Sequence, residues 1–141
     1  MKICSSPRVK AIRYRNSREP GILKYTMSLS LSTYVIEPDI TVVTLAGKMT
    51  LGRDGSFEAI VSTLVAERAR KVVFDLSELG YIDSAGIGQL IHSVTSLHKA
   101  GGSCRVAGTK GLVRSVFHIT RVDTVIAFTD TLAEACASLS A

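Results

Sequence analysis

The chain has 141 residues, room for one domain with a core of its own. Hydrophobic residues make up 46%, which excludes disorder over most of the length. The formal charge of +5 would point to nucleic acid or a membrane surface, but residues 1–26 hold seven basic residues against one acidic, and the remainder ten against eleven.

Direct nucleic-acid binding by the domain is therefore not expected. The leading stretch "MKICSSPRVKAIRYRNSREPGILKYT" has two prolines, a glycine and no sustained apolar period. It lacks the apolar run of a secretory signal, so export is not expected. It reads as a basic, disordered extension over residues 1–26, or as sequence upstream of a start at Met27, ahead of a domain over 27–141. The sharper alternative is a basic arm that touches an acidic partner or a phosphate backbone.

From Leu29 the chain alternates element types. "LSLSTYVIEP" alternates like a strand and ends at Pro38; "DITVVTLAGK" is a β-branched strand that stops at Gly47. Glu37-Pro38-Asp39 between them predicts a tight antiparallel connection. In "TLGRDGSFEAIVSTLVAERAR" the residues Phe57, Ile60, Val61, Leu64 and Val65 make one helical stripe, with Asp54 or Ser56 placed to cap it. "KVVFDL" predicts a short buried strand. Ile87, Leu90, Ile91, Val94 and Leu97 form a second stripe that stops at Gly101-Gly102. "SCRVAG" is the next strand. Thr109 is placed to cap a helix whose Leu112, Val113, Val116 and Phe117 face inward; "TVIAF" is a last strand, and Thr129 or Asp130 caps a helix through Leu132, Cys136 and Leu139. The order β-β-α-β-α-β-α-β-α predicts an α/β fold: a mixed, mostly parallel sheet of four to five strands with helices packed on it.

Cys4, Cys104 and Cys136 show no paired spacing of a zinc or redox motif. An odd count without an export signal fits reduced thiols in the cytoplasm, with Cys104 and Cys136 buried. No apolar stretch approaches the length of a membrane helix.

The informative stretch is "YIDSAGIGQL", residues 81–90, where Ser84 follows an acid at a strand-to-helix junction. A nucleophile elbow needs glycine two residues to either side; Gly86 fits, but Ile82 occupies the other position. The three histidines, His92, His98 and His118, form no recognisable triad, and His92 and His98 lie on different faces of one helix. An enzyme is not expected. A phosphate cradle fails too: Gly86-Ile87-Gly88 begins a dinucleotide fingerprint, but Ile91 stands at its third glycine, and Asp83 puts negative charge where a phosphate would sit. The remaining reading is a serine that receives a phosphate. Asp83 or Ser84 caps the helix that begins near Ala85, whose dipole tolerates added negative charge. The plain alternative is an ordinary capping serine.

The stretch "VVFDLSELGYIDSAGIGQLIHSVTSLHKAGGSCRVAG", followed by "GLVRSVFHITRVDTVIAFTDTLAEA", resembles the STAS family of sulphate-transporter and anti-sigma-antagonist domains over about residues 29–141. Asp83-Ser84-Ala85-Gly86 is similar to the acceptor element of its stand-alone bacterial antagonists. The resemblance implies an anti-sigma factor antagonist that takes no cofactor or metal. Its partners would be an anti-sigma factor that is also a serine kinase, which phosphorylates Ser84, and a phosphatase that resets it. The docking surface would comprise Asp83, Ala85, Gly86, Ile87 and Gly88 with Thr50 and Asp54. One departure stands out. Antagonists often carry Gly-x-Leu-Asp at the end of the second strand; here Gly47-Lys48-Met49-Thr50 puts threonine at the acid's place, with Asp54 as the candidate substitute. The alternatives are a STAS adaptor subunit of a stress-signalling or lipid-transport assembly that needs no phosphorylation, and a small-molecule or nucleotide binder that uses the Ser84 helix terminus as an anion site.

Overall fold

The computed structural model describes residues 9–12, 29–49 and 56–140. Its elements in chain order are β1 (Val9–Ile12), β2 (Ser30–Ile36), β3 (Ile40–Met49), α1 (Ser56–Ala66), β4 (Lys71–Ile82), α2 (Ser84–Lys99), β5 (Ser103–Ala107), α3 (Gly111–Ile119), a 3-10 turn (Val122–Thr124), β6 (Phe128–Thr129) and α4 (Leu132–Ser140). The strands lie side by side in sequence order in one sheet. β1–β2 and β2–β3 pair antiparallel, and every later pair is parallel. The expected mixed, mostly parallel sheet is present from β2 onward. β1 is an addition from the leading segment, where the sequence showed no strand; its four residues pair with β2 through backbone groups, which apolar period does not report. The rest of residues 1–26 lies outside the described residues.

Alternating residues divide the core between the two faces of the sheet. Val72, Phe74 and Leu76 of β4 pack with Phe57 and Leu64 of α1, Leu90 and Leu97 of α2, and Val113 and Phe117 of α3. Val73, one residue out of phase, joins Val42 and Ala107 against Ala135, Cys136 and Leu139 of α4. The aromatic rings meet inside this core, Phe57 tilted against Phe74 at 5.7 Å and Phe117 against Phe128 at 5.0 Å between centroids.

β4 runs six residues past its expected end at Leu76. The polar Ser77-Glu78 and Gly80 look like a loop in sequence, and the Asp75 carboxylate does turn back to accept the Ser77 N–H at 3.0 Å. Pairing with β3 nonetheless continues across two register shifts and carries β4 to Ile82, opposite Met49. α2 stops where expected. Gly101, at φ 95, donates to the His98 carbonyl, and Gly102 donates to the Leu97 carbonyl, the paired bonds of a left-handed helix end.

Four local expectations are corrected. Lys110, not Thr109, is the N-cap of α3, and it makes no side-chain cap bond. Leu112 is exposed instead of facing inward. "TVIAF" is mostly not a strand: left-handed Arg121 starts a 3-10 turn, Val125 and Ile126 both donate to the Val122 carbonyl, and only Phe128–Thr129 pairs with β5. At α4 the cap is Thr131, whose hydroxyl accepts the Glu134 N–H at 3.1 Å, while Glu134 reaches back to the Asp130 N–H at 3.0 Å. The expected caps of α1, Asp54 and the Ser56 side chain, lie outside the described residues.

These caps are separable by mutation. Thr131→Ala is expected to destabilise the protein by about 1 kcal/mol, because it strands a first-turn N–H. Thr109→Ala is expected to cost less than about 0.5 kcal/mol. Urea unfolding of the two variants checks the difference.

Candidate functional site

The long β4 and its register against β3 deliver the chain to the start of α2. Asp83 is the N-cap, in extended conformation. Its N–H donates to the Met49 carbonyl at 3.1 Å, its Oδ1 accepts the Gly86 N–H at 2.8 Å, and its carbonyl accepts the Ile87 N–H at 2.9 Å. Asp83 thus holds both the end of β3 and the first turn of α2. Ser84 is the first helical residue, exposed, and its hydroxyl has no hydrogen-bond partner among the described residues.

The sequence left the cap open between Asp83 and Ser84; the geometry assigns it to Asp83. Ser84 is therefore not an ordinary capping serine. Its hydroxyl stands at the first turn of α2 and accepts none of that turn's N–H groups among the described residues. No histidine bonds it: His92 and His98 are exposed farther along α2, and the imidazole of His118 meets Asp123 at 3.3 Å on another element.

The two glycines differ in what they do. A Cβ on Gly86 would lie 2.4 Å from the Met49 carbonyl oxygen and 2.9 Å from the Ile82 side chain. Only glycine lets the first turn of α2 settle onto the end of β3. Gly88 has nothing within 4 Å of a Cβ position and is exposed, so the fold does not demand glycine there. Ala85 is half-buried, and Ile87 is packed in the core beside Leu90. Of the docking residues named from the sequence, the described ones therefore come together at one helix start, with Ser84 and Gly88 outermost. Thr50 and Asp54 lie outside the described residues.

A groove of about 620 Å³ runs between α1 and α2 beside this terminus. Val61 and Val65 floor it from α1, and Ala85, Gly88, Gln89 and His92 line it from α2; Gln89 donates to Glu58 across its rim. The sequence reading missed this groove. Its signal was the small residues Ala85 and Gly88 on the outward face of an otherwise regular helix.

The described thiols are removed from this chemistry. Cys104 and Cys136 are buried and form no disulfide among the described residues. Burial pushes the Cys104 thiol up to about 12 from 9.0, against a smaller opposing pull from Arg105. A thiol held protonated this way is a poor nucleophile.

The class of protein follows from the sheet and its helix arrangement: an α/β domain that displays one capped, glycine-bearing helix start at the end of its central strand. A model of the STAS domain matches residues 32–135, and the chain belongs to that family. The fold is also that of an anti-sigma factor antagonist from Mycobacterium paratuberculosis, with a TM-score of 0.69, 22% identity, and coverage of 81% of this chain and 96% of that one. SpoIIAA, a cell fate determinant of Bacillus, in its phosphorylated form, gives a TM-score of 0.59 at 18% identity over 77% of this chain and 97% of that one. The murine anion transporter Slc26a9 matches 95% of this chain with 22% of its own length, at a TM-score of 0.59 and 11% identity. No helix among the described residues is long and apolar enough to cross a membrane.

The glycine assignment predicts an asymmetry. Gly86→Ala is expected to destabilise by about 1–3 kcal/mol through overpacking against the Met49 carbonyl. Gly88→Ala is expected to stabilise by about 0.5–1 kcal/mol through helix propensity. Urea midpoints of the two variants read this directly. The Cys104 thiol predicts a pH dependence. The folded state holds its proton more tightly than the unfolded state, so its contribution to stability is complete below pH 9.0 and declines as pH rises from there toward about 12. Ellman's reagent at pH 8 is expected to leave Cys104 unlabelled in the native protein and to label it after denaturation.

Proposed function

We propose that the protein is an anti-sigma factor antagonist switched by phosphorylation of Ser84. Unphosphorylated, it binds an anti-sigma factor that is also a serine kinase and so releases a sigma factor. The kinase transfers the γ-phosphoryl group of ATP to Ser84 Oγ: the bond from the γ-phosphorus to the bridging oxygen breaks, ADP leaves, a base of the kinase takes the hydroxyl proton, and the complex separates. A phosphatase hydrolyses the phosphoserine and restores the binding form. The protein acts as a binding module and not as an enzyme, without cofactor or metal. It works in the cytoplasm, a compartment that suits its two buried cysteines, which form no disulfide among the described residues.

One observation carries this reading: at the first residue of α2 the Ser84 hydroxyl is exposed and has no partner among the described residues, while Asp83 does the capping. A phosphate there breaks no bond that the fold relies on. It adds roughly −1.5 to −2 charges at neutral pH. The positive helix terminus favours such a charge by about 0.3–1 kcal/mol, and the neighbouring Asp83 opposes it. The domain keeps its shape while the potential of one surface changes sign or magnitude. A partner seated on that surface meets repulsion and a charge it has to desolvate. A differential of about 2–3 kcal/mol lowers affinity roughly 30- to 150-fold.

The docking surface comprises Ser84, Asp83, Ala85 and Gly88, with Gly86 and Ile87 setting their position from beneath; Thr50 and Asp54, named with them from the sequence, lie outside the described residues. The apolar groove between α1 and α2 extends the surface away from Ser84.

With the cognate kinase and ATP, the parent protein is expected to gain one phosphate and Ser84→Ala none. Ser84→Ala is expected to bind the anti-sigma factor almost as tightly as the parent, and Ser84→Asp about tenfold or more weakly. Equal labelling of Ser84→Ala would remove Ser84 from the proposal. Equal binding by all three forms would favour the phosphorylation-independent adaptor.

A further inference from the structure

We propose that the outward flank of α3 is a second docking surface, for an acidic amphipathic helix of a partner protein, and that it operates independently of Ser84. Val113 and Phe117 anchor α3 in the core, but Leu112 is 55% exposed and Ile119 75%. Seven residues apart, they stack on one face of the helix, with half-buried Val116 between them. A single exposed aliphatic residue is ordinary. Here two of the four exposed large hydrophobics among the described residues share one helix face.

The charges around this stripe are distributed unevenly. Arg114 and His118, on the opposite flank, are engaged by Asp130 at 3.6 Å and Asp123 at 3.3 Å. Lys110 and Arg121, just beyond the two ends of the helix, are exposed and have no ion pair among the described residues. Lys110 is also out of place by local rules. It occupies an N-cap position without a cap bond and puts a cation at the positive end of the helix dipole. Its charge is thus used neither for capping nor for an ion pair among the described residues.

An aliphatic stripe bracketed by two cations selects its occupant by charge. The chain's own leading segment is strongly basic and would be repelled. A second copy paired antiparallel through α3 would set Lys110 of one molecule against Arg121 of the other. An anionic lipid surface would also press on exposed Asp123 and Asp130. A single helix contacts only the flank. The stripe from Leu112 to Ile119 is about 10 Å long, which matches roughly two turns of a partner helix with apolar residues at i, i+3 and i+7 and acidic residues at both ends.

The test uses the full-length protein with labelled methyl groups. It is titrated with a synthetic helical peptide that carries leucines at that spacing and glutamates at its ends, with the same peptide carrying lysines, and with phosphatidylserine vesicles. The acidic peptide alone is expected to shift the methyl signals of Leu112, Val116 and Ile119. The exposed-site variant L112S/I119S is expected to weaken binding about tenfold or more, and K110E/R121E to reverse the preference toward the lysine peptide. Ser84→Asp is expected to leave all of this unchanged. If the serine variant fails to fold by its urea midpoint, the charge reversal decides alone. Absence of shifts at millimolar peptide, equal response to the lysine peptide, shifts confined to the α1–α2 groove, or response only to vesicles would each overturn the proposal.

Discussion

The Met49 carbonyl is where the architecture of the site converges. It accepts the Asp83 N–H at 3.1 Å, and the α-carbon of Gly86 lies so close that a single added methyl group would come within 2.4 Å of it. The end of β3 and the first turn of α2 are thereby held together by backbone contacts, which do not depend on side-chain rotamers. With the terminus fixed from below and Asp83 closing the Gly86 N–H, the Ser84 hydroxyl has no hydrogen-bond partner among the described residues. A position that contributes little to stability and is rigidly presented suits reversible modification: its chemistry changes while its geometry persists.

This division of labour between adjacent residues has an electrostatic consequence. Asp83 already uses part of the terminus's capacity for negative charge. A phosphate on Ser84 would therefore be accommodated without being tightly neutralised, and most of its field would project outward. A fully neutralised phosphate would be a structural element; an exposed one alters what can dock. The groove between α1 and α2, floored by valines and lined by small residues, adds an apolar contact beside that charge. On the proposed reading, it is the balance between the two that sets how far modification lowers affinity.

Much of this was legible in the sequence. The helical stripes of α1 and α2, the glycine stop at Gly101, the βα alternation and the junction at Asp83-Ser84 each rest on residues within a few positions of one another, where periodicity and capping chemistry act. The misses are of a different kind. The polar and glycine residues from Ser77 to Gly80 hid the second half of β4, because pairing with β3 overrides their local preference. "TVIAF" is β-branched, yet left-handed Arg121 winds the chain just before it into a 3-10 turn that buries Val122 and Ile126 on one side. Leu112 satisfied the helical period but lies at the edge of the buried arc, and periodicity cannot say how wide that arc is.

The sequence by itself determined the family, the βα alternation from β2 onward and the serine at the start of α2. Those features are encoded in short-range patterns that each segment carries alone. Only the tertiary structure decided that Asp83 and not Ser84 is the cap, that Gly86 is required and Gly88 is not, and that one flank of α3 is left uncovered. Each of these depends on groups distant in the chain, such as the carbonyl of Met49 above Gly86, and such distances are set by sheet register and packing, which no local pattern contains.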